Sequence, residues 1–381
     1  MERIKVIEYI SNMGDGGAET LVKDYVRLID RKRFDPVVVV LYGGGTSANR
    51  RIIEENHIPI NEVFPKLNLF VRIWKKMFGW WYIPYRLKKI IRDEKAQVLH
   101  MHLIVLKDVP RIGKDLQNLR LLFTCHNVPD TVFSENLMVE RKAAEILVRN
   151  NKLQMIALHN EMAEQLNRMF GVDNTIVMWN GVDVKRFQST GITSSIERQK
   201  LGIPQEAFVL GHVGRFSAQK NHDFLVEVFF EVAQKCPNAF LLMIGAGDTT
   251  NVEDKLIRNG FENRYLILSG RTDVNEIMEA MDVFVFPSKY EGLPLALIEA
   301  QFSGLRCIAS DKITKEAMCT ENVIMLPIGD SALWAEAVLD MEAKGTIHTP
   351  LHLFDMRDVM QRLEMVYSAE VRCLEKHEIS C

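Results

Sequence analysis

DVFVFPSKYEGLPLALIEAQFSGLRCIASD, residues 282–311, is the stretch from which the fold follows. Val283 to Phe286 is a short apolar run of β-branched and aromatic residues, the mark of a buried strand. Pro287 ends it, and a turn runs from Ser288 to Gly292. A helix is expected next, with Pro294 near its first position, where a missing N–H costs nothing. It continues through Leu295, Leu297, Ile298 and Phe302 to Gly304, a suitable C-cap. Cys307 to Ala309 forms a second strand, so the stretch reads as a βαβ unit. Its first turn lies at the carboxyl end of a parallel sheet, where open α/β sheets bind ligands. The N–H groups of Gly292, Leu293 and Leu295 stand at the helix start and make an anion site. Two carboxylates flank them, Glu291 in the turn and Glu299 on the helix. Acids beside a phosphate site suit a ligand that offers hydroxyls as well as a diphosphate, as a nucleotide sugar does. On spacing alone, an ordinary βαβ unit with two solvated glutamates fits equally well.

Working outward, the second half of the chain alternates strand and helix. Strands are expected at 208–213, 240–244, 265–268, 283–286, 307–309 and 323–326, with helices near 221–235, 252–259, 273–281, 294–303 and 331–343. Such alternation with apolar strands means a parallel, doubly wound sheet. Gly214-Arg215-Phe216-Ser217-Ala218-Gln219-Lys220-Asn221 follows the first of these strands. It places two cations, Arg215 and Lys220, just before a helix that Asn221 is suited to cap. Arg holds two phosphate oxygens in a fork and Lys acts as a point charge; the bland alternative is a pair of surface cations. Gly245 to Asp248 and Gly270-Arg271 are later glycine turns, candidates to line a nucleobase pocket.

The first half has the same character. A strand at 3–10 leads into the glycine-rich turn Ser11 to Gly17 and then a helical pattern (Ala18, Leu21, Val22, Tyr25, Leu28, Ile29). Gly16 and Gly17 let a ligand approach the backbone closely. A strict G-x-G-x-x-G fingerprint is absent, which weakens a nicotinamide-dependent dehydrogenase as a rival reading. Further strands are expected at 37–42, 98–103, 121–125, 155–158 and 175–178, with a helix at 161–170. His126 lies just past a strand end and is placed to meet a ligand, although a lone histidine is more often structural. At least one of His100 and His102 is expected to pack in a cleft wall. A Ser-, Thr- and Gly-containing linker spans 188–205, and Leu351 to Ile379 is helical in pattern.

Residues 72–95, RIWKKMFGWWYIPYRLKKIIRDEK, hold eight basic and two acidic residues interleaved with Trp74, Phe78, Trp80, Trp81, Tyr82 and Tyr85. That composition fits an element lying on an anionic membrane surface. The competing account is a helix packing one stripe on its sheet with snorkelling lysines outside. Three tryptophans so close together exceed what one packing stripe needs. The basic patch is local, which argues against nucleic acid as a partner.

Length and composition bound the rest. The 381 residues suffice for two domains, and 47% hydrophobic content describes a globular chain. Six cysteines are scattered without metal-binding spacing, the pattern of a reduced compartment. No leader is expected before the first strand, and no run is long enough to span a membrane. The net charge of −3 is unevenly placed: residues 1–185 carry 28 Lys and Arg against 22 Asp and Glu, so the excess of acid lies in the second half. The first half therefore suits an anionic surface or ligand.

The motif FPS-x-x-EG-x-P-x-x-x-x-E-A-x-x-x-G at 286–304 resembles the signature of the retaining glycosyltransferases of family 4, which have the GT-B fold. The resemblance implies two Rossmann-like domains facing a cleft, at 1–185 on the acceptor side and 186–365 for the nucleotide sugar, with a C-terminal helix at 366–381 crossing back. It places Glu291 by the donor sugar and Glu299 by the ribose. GR-x-x-x-x-K-N at Gly214 to Asn221 matches the diphosphate clamp, GGAE at Gly16 to Glu19 the loop facing the donor phosphates and acceptor, and TCHN the histidine near the transferred sugar, here His126. Asn180 to Asp183, with Phe187, resembles the inter-domain hinge. One departure is Arg306, where the family usually has proline; this should alter the strand's entry more than the chemistry. Within the family the chain looks most like bacterial enzymes of exopolysaccharide or capsule assembly. The expected activity is metal-independent, retaining transfer from a UDP-sugar to a sugar or lipid-linked acceptor, with domain closure excluding water. No DxD triplet stands in a metal-binding role. The expected place is the cytoplasm, peripheral at the inner face of the plasma membrane. A non-catalytic nucleotide-sugar-binding protein is the remaining alternative.

Overall fold

The computed structural model describes residues 3–368 apart from 67, 189, 190, 341 and 343. It comprises two compact units, which divide at 181/182 and again at 356/357. The sequence reading put those divisions at 185/186 and 365/366; the part of its C-terminal helix from 369 onward lies outside the described residues.

The first unit runs β1 (Ile4–Ile10), α1 (Gly17–Leu28), β2 (Phe34–Tyr42), α2 (Ala48–Glu55), β3 (Ile60–Phe64) and α3 (Leu69–Asp93). It continues with β4 (Val98–His102), β5 (Arg120–Thr124), α4 (Pro129–Val132), α5 (Met138–Asn151), β6 (Gln154–Ala157), α6 (Asn160–Phe170) and β7 (Ile176–Val177). The strands form one parallel sheet in the order β3-β2-β1-β4-β5-β6-β7. β2 starts at Phe34 and not at the expected Val37, with Pro36 inside it. Pro36 is tolerated because β3 pairs with β2 only from Val38 onward, so no ladder bond on that side asks for its N–H. β3 escaped notice in the sequence because Asn61 and Glu62 interrupt a short apolar run. The core is the doubly covered sheet itself: Val6, Ile7, Val37 to Val40, Leu99, Met101 and Leu122 are all fully buried or nearly so.

The second unit begins with α7 (Val184–Gln188) and α8 (Ser194–Leu201). Then come β8 (Phe208–Val213), α9 (His222–Lys235), β9 (Ala239–Ile244), α10 (Thr250–Arg258), β10 (Tyr265–Leu268) and α11 (Val274–Met278). The unit closes with β11 (Val283–Phe286), α12 (Leu295–Phe302), β12 (Arg306–Ser310), β13 (Val323–Leu326) and α13 (Ser331–Leu339). Its parallel sheet has the order β10-β9-β8-β11-β12-β13, and Trp334 of α13 is fully buried against it beside Phe224. Arg306 opens β12, is itself buried, and donates through Nη2 to the Ala337 carbonyl at 2.6 Å. The departure from proline thus ties a strand entry to the end of α13.

The last element, α14 (Met356–Ser368), rejoins the first unit from Arg357 on. Glu364 accepts from the Asp30 amide at 2.8 Å, and Tyr367 meets the Phe34 ring edge-on at 6.1 Å between centroids.

Candidate functional site

Both sheets change direction of strand order once, at β1/β4 and at β8/β11. Ligands of doubly wound sheets bind outside the carboxyl ends of the strands at such a point. Lys220, Glu291 and the 292–295 amides fall at the second of these points and Gly16 and Gly17 at the first, whereas His126 follows β5, next to β4, and Arg271 follows the edge strand β10.

In the second unit, the turn after β8 and the turn after β11 are stitched together. Lys220 Nζ lies 2.7 Å from Glu291 Oε1, with both side chains largely withdrawn from water. Gln219 donates to the Tyr290 carbonyl at 2.8 Å and to Glu291 Oε2 at 3.2 Å, while its own carbonyl accepts from the Lys289 amide at 2.8 Å. Lys220 Nζ also stands over the Phe286 ring, 4.7 Å from its centroid, the end of the apolar strand serving as a cation–π floor. Gly214 and Gly245 make the space: a Cβ on Gly245 would stand 2.0 Å from the Gly214 carbonyl oxygen. Asn221 occupies the N-cap of α9 in the left-handed region (φ 58°) and, contrary to expectation, makes no side-chain cap bond. Its carbonyl instead takes the Phe224 and Leu225 amides.

Pro294 is the N-cap of α12, one position earlier than the sequence suggested, and the helix starts at Leu295. The amides of Gly292, Leu293 and Leu295 precede the first bonds of the helix, in which the Pro294 carbonyl accepts from Leu297 and Ile298. Gly292 and Leu293 are buried, Glu291, Leu295 and Glu299 half-buried, and Arg215 exposed. Arg271 is engaged locally, forming a two-pronged ion pair with Asp273, Nε to Oδ1 at 2.8 Å. Asp248 is likewise turned back on its own loop, accepting from the Thr250 amide at 3.0 Å.

In the first unit, Gly16 is the N-cap of α1 and Gly17 its first residue, just past β1. His126 stands past the end of β5 and is half-buried. Behind it runs a chain of hydrogen bonds across three neighbouring strands. His126 Nε2 is 2.8 Å from His102 Nδ1, and His102 Nε2 is 2.8 Å from Glu8 Oε2. The Tyr367 hydroxyl donates to Glu8 Oε1 at 2.5 Å; Tyr367 also meets His100 Nδ1 at 2.7 Å, and His100 Nε2 meets the Thr124 hydroxyl at 2.7 Å. Burial opposes the Glu8 charge, but His100 and His102 outweigh it and hold the carboxyl well below the usual range. Burial, and then the adjacent His100, bring His102 down to about 4 despite its bond to Glu8. Burial and the two other histidines also push His126 well below its ordinary value.

The ligand atoms of Glu8, His100 and His102 all lie within 4.8 Å of one another, a spacing a cation could bridge. Each ring nitrogen already has a hydrogen-bond partner, so the cluster is complete as a network. The sequence reading expected at least one of His100 and His102 to pack; both are fully buried. Glu8 and Tyr367 were missed. Glu8 left one signal, an acid in the middle of the apolar run IKVIEYI; Tyr367 left none, since its partners lie more than 250 residues away.

Residues 15–186 match the family model Glycosyltransferase Family 4, and residues 207–343 match Glycosyl transferases group 1. The putative glycosyltransferase EpsF of Bacillus subtilis is 34% identical over 172 residues, 44% of this chain and 44% of that protein. An Escherichia coli protein, UDP-Gal:alpha-D-GlcNAc-diphosphoundecaprenol alpha-1,3-galactosyltransferase, is 30% identical over 59% of this chain and 60% of its own length. The chain thus spans about half the length of the curated relatives it matches. Among solved structures, Anabaena HepE in complex with UDP and glucose superposes with a TM-score of 0.78 at 19% identity, over 96% of this chain and 100% of that one. Sucrose-phosphate synthase of Thermosynechococcus elongatus gives 0.75 at 17% identity, over 96% and 99%. The fold is GT-B, and with both halves matched the chain belongs to the glycosyltransferases, a Family 4 domain followed by a group 1 domain.

Proposed function

We propose that the protein transfers a sugar from a UDP-sugar to a sugar or lipid-linked acceptor in polysaccharide biosynthesis, with retention of configuration and without a metal. The observation that carries the reading is the Lys220–Glu291 pair, 2.7 Å long, at the switch point of the second sheet. It joins a phosphate-seeking cation to a hydroxyl-seeking carboxylate, the two chemistries a nucleotide sugar demands.

Each residue then has a task. Lys220, Arg215 and the amides of Gly292, Leu293 and Leu295 neutralise the departing diphosphate, stabilising the charge that develops as the glycosidic bond breaks. Glu299 takes the ribose hydroxyls, Glu291 and His126 the transferred sugar, Gly16 and Gly17 the donor phosphates and acceptor, and Arg271 the base side. The leaving phosphate takes the acceptor's proton on the face it departs from. The UDP-Gal donor and diphosphoundecaprenol-linked acceptor named for the E. coli relative support the substrate classes, as does the UDP bound by HepE. The apolar, basic helix α3 supports an acceptor met at an anionic membrane surface, on the cytoplasmic side.

Donor turnover decides the matter. UDP release from a UDP-sugar panel is measured for the wild type, Lys220→Ala and Glu291→Ala, with and without EDTA. Each substitution is expected to lower turnover by about 10²–10³, with EDTA without effect. Equal rates from all three proteins would end the catalytic assignment of Lys220 and Glu291, and no turnover by any of them would leave a non-catalytic binding role.

A further inference from the structure

His126 is the only one of the assigned sugar-contacting groups whose hydrogen-bonding character is not set by its own chemistry. A neutral imidazole donates from one nitrogen and accepts at the other, and a neighbour decides which. Here the neighbours decide it through a chain with one possible direction.

The chain starts at Glu8. On β1 it is the register partner of His100 on β4, and His102, two residues further, points to the same face. An ionised carboxylate only accepts. The Tyr367 hydroxyl therefore gives its hydrogen to Oε1, and His102 carries its hydrogen on Nε2, 2.8 Å from Oε2. Neutral His102 is left with a lone pair on Nδ1. The atom facing that lone pair at 2.8 Å is His126 Nε2, which must then be the N–H. On the other branch Tyr367 has spent its hydrogen on Glu8, so its oxygen accepts from His100 Nδ1, and His100 Nε2 accepts from Thr124. His100 and His102, neighbours on one face of one strand, are thereby held in opposite tautomers.

We propose that Glu8 and His102 are positioning residues which lock His126 as the Nε2–H tautomer, so that its Nδ1 accepts a hydrogen bond from a hydroxyl of the transferred sugar. The inference rests on the assignment of His126 to that sugar. It adds that the histidine receives a hydrogen bond and does not give one, and that a carboxylate two hydrogen bonds away sets this. Tyr367 extends the control to the C-terminal helix, since α14 supplies the second hydrogen that Glu8 accepts.

The test is spectroscopic and precedes any assay. Long-range nitrogen–hydrogen correlation spectra of the full chain labelled at histidine, assigned with His126→Gln and His102→Gln, report the protonated nitrogen of each ring at pH 7. The expected wild-type result is Nε2–H for His102 and His126, and Nδ1–H for His100. Glu8→Gln, which offers an amide N–H in place of a carboxylate oxygen, is expected to move part of His126 to the Nδ1–H form. With it kcat should fall roughly tenfold while the donor KM stays within about twofold. A wild-type His126 protonated on Nδ1, or a folded Glu8→Gln protein with an unaltered His126 signal, overturns the proposal. The wild-type spectrum stands alone should Glu8→Gln not fold. If the tautomers are as stated but His126→Gln transfers sugar at the wild-type rate, the relay stands and the assignment of His126 to the sugar fails.

Discussion

Lys220 and Glu291 are 71 positions apart in the chain, yet they form a pair whose side chains retain 16% and 10% of their exposure. Removing one partner of such a withdrawn pair strands the other, at a cost on the order of 3–5 kcal/mol; Gln219 remains to satisfy part of Glu291. On the proposed reading, donor binding opens this bond, handing Lys220 to phosphate and Glu291 to hydroxyls. The geometry that keeps the pair in place depends on a side chain that is missing. Gly245→Ala would put a methyl group 2.0 Å from the Gly214 carbonyl and push the 214–220 turn off its seat. Melting should show a loss of about 1–3 kcal/mol from overpacking, and the UDP-induced thermal shift should vanish. A retained shift would mean the turn does not bind the diphosphate. That Lys220, Glu291 and His126 stand just past strand ends could be read from the sequence, because each follows an apolar run closed by a turn. Glu8 and Tyr367 could not, since their role exists only once β1, β4 and α14 are side by side.

At the scale of elements, α3 repays the attention its composition drew. It is one helix of 25 residues, and it divides its aromatic residues between two faces. Trp74 and Tyr82 turn inward, packing on Phe64 and on each other with ring centroids 4.7 Å apart. Leu69, Ile73, Met77, Trp80, Trp81 and Tyr85 face out at helical spacing, Trp80 with 61% of its surface exposed. Pro84 lies inside the helix and cannot donate to the Trp80 carbonyl four residues back; Arg111 does so instead, at 3.3 Å. Not every basic residue is free for a membrane: Lys75 bonds Tyr42, and Lys88 and Arg92 share Asp115. Arg72, Lys76 and Lys89 are exposed. Replacing these three with serine should weaken binding to vesicles containing anionic lipid more than a hundredfold, at about 1 kcal/mol per charge. Trp80→Ala with Trp81→Ala should weaken binding to neutral and anionic vesicles alike. Co-sedimentation independent of both sets of changes would end the membrane reading. No helix among the described residues is long and apolar enough to cross a bilayer.

For the molecule as a whole, buried neutral histidines set an acid limit in both units. Burial, then Lys220, brings His222 down to about 4, and burial, then His222, holds His212 well below its ordinary value. His102 sits at about 4 in the first unit. A histidine whose folded value lies below its unfolded value binds its proton first in the unfolded chain, so stability is lost as pH falls from about 6.5 toward 4. For His222 this amounts to on the order of 3 kcal/mol across the window. The melting temperature should therefore drop steadily between pH 6.5 and 4.5, and His222→Phe, a ring in the same place against Phe216, should flatten the fall. A flat wild-type profile in that window would refute the buried-neutral assignment. The alternation of apolar strands with helices, the two glycine turns and the Glu291–Glu299 motif were determined by the sequence alone, because they are written in periodicities of two and 3.6 residues and in fixed local spacings. Strand order, the meeting of Lys220 with Glu291, the outward stripe of α3 and the Glu8–His102–His126 chain were decided only by tertiary structure. Those features depend on which strands become neighbours and which face of each is buried, and no local stretch of chain carries that information.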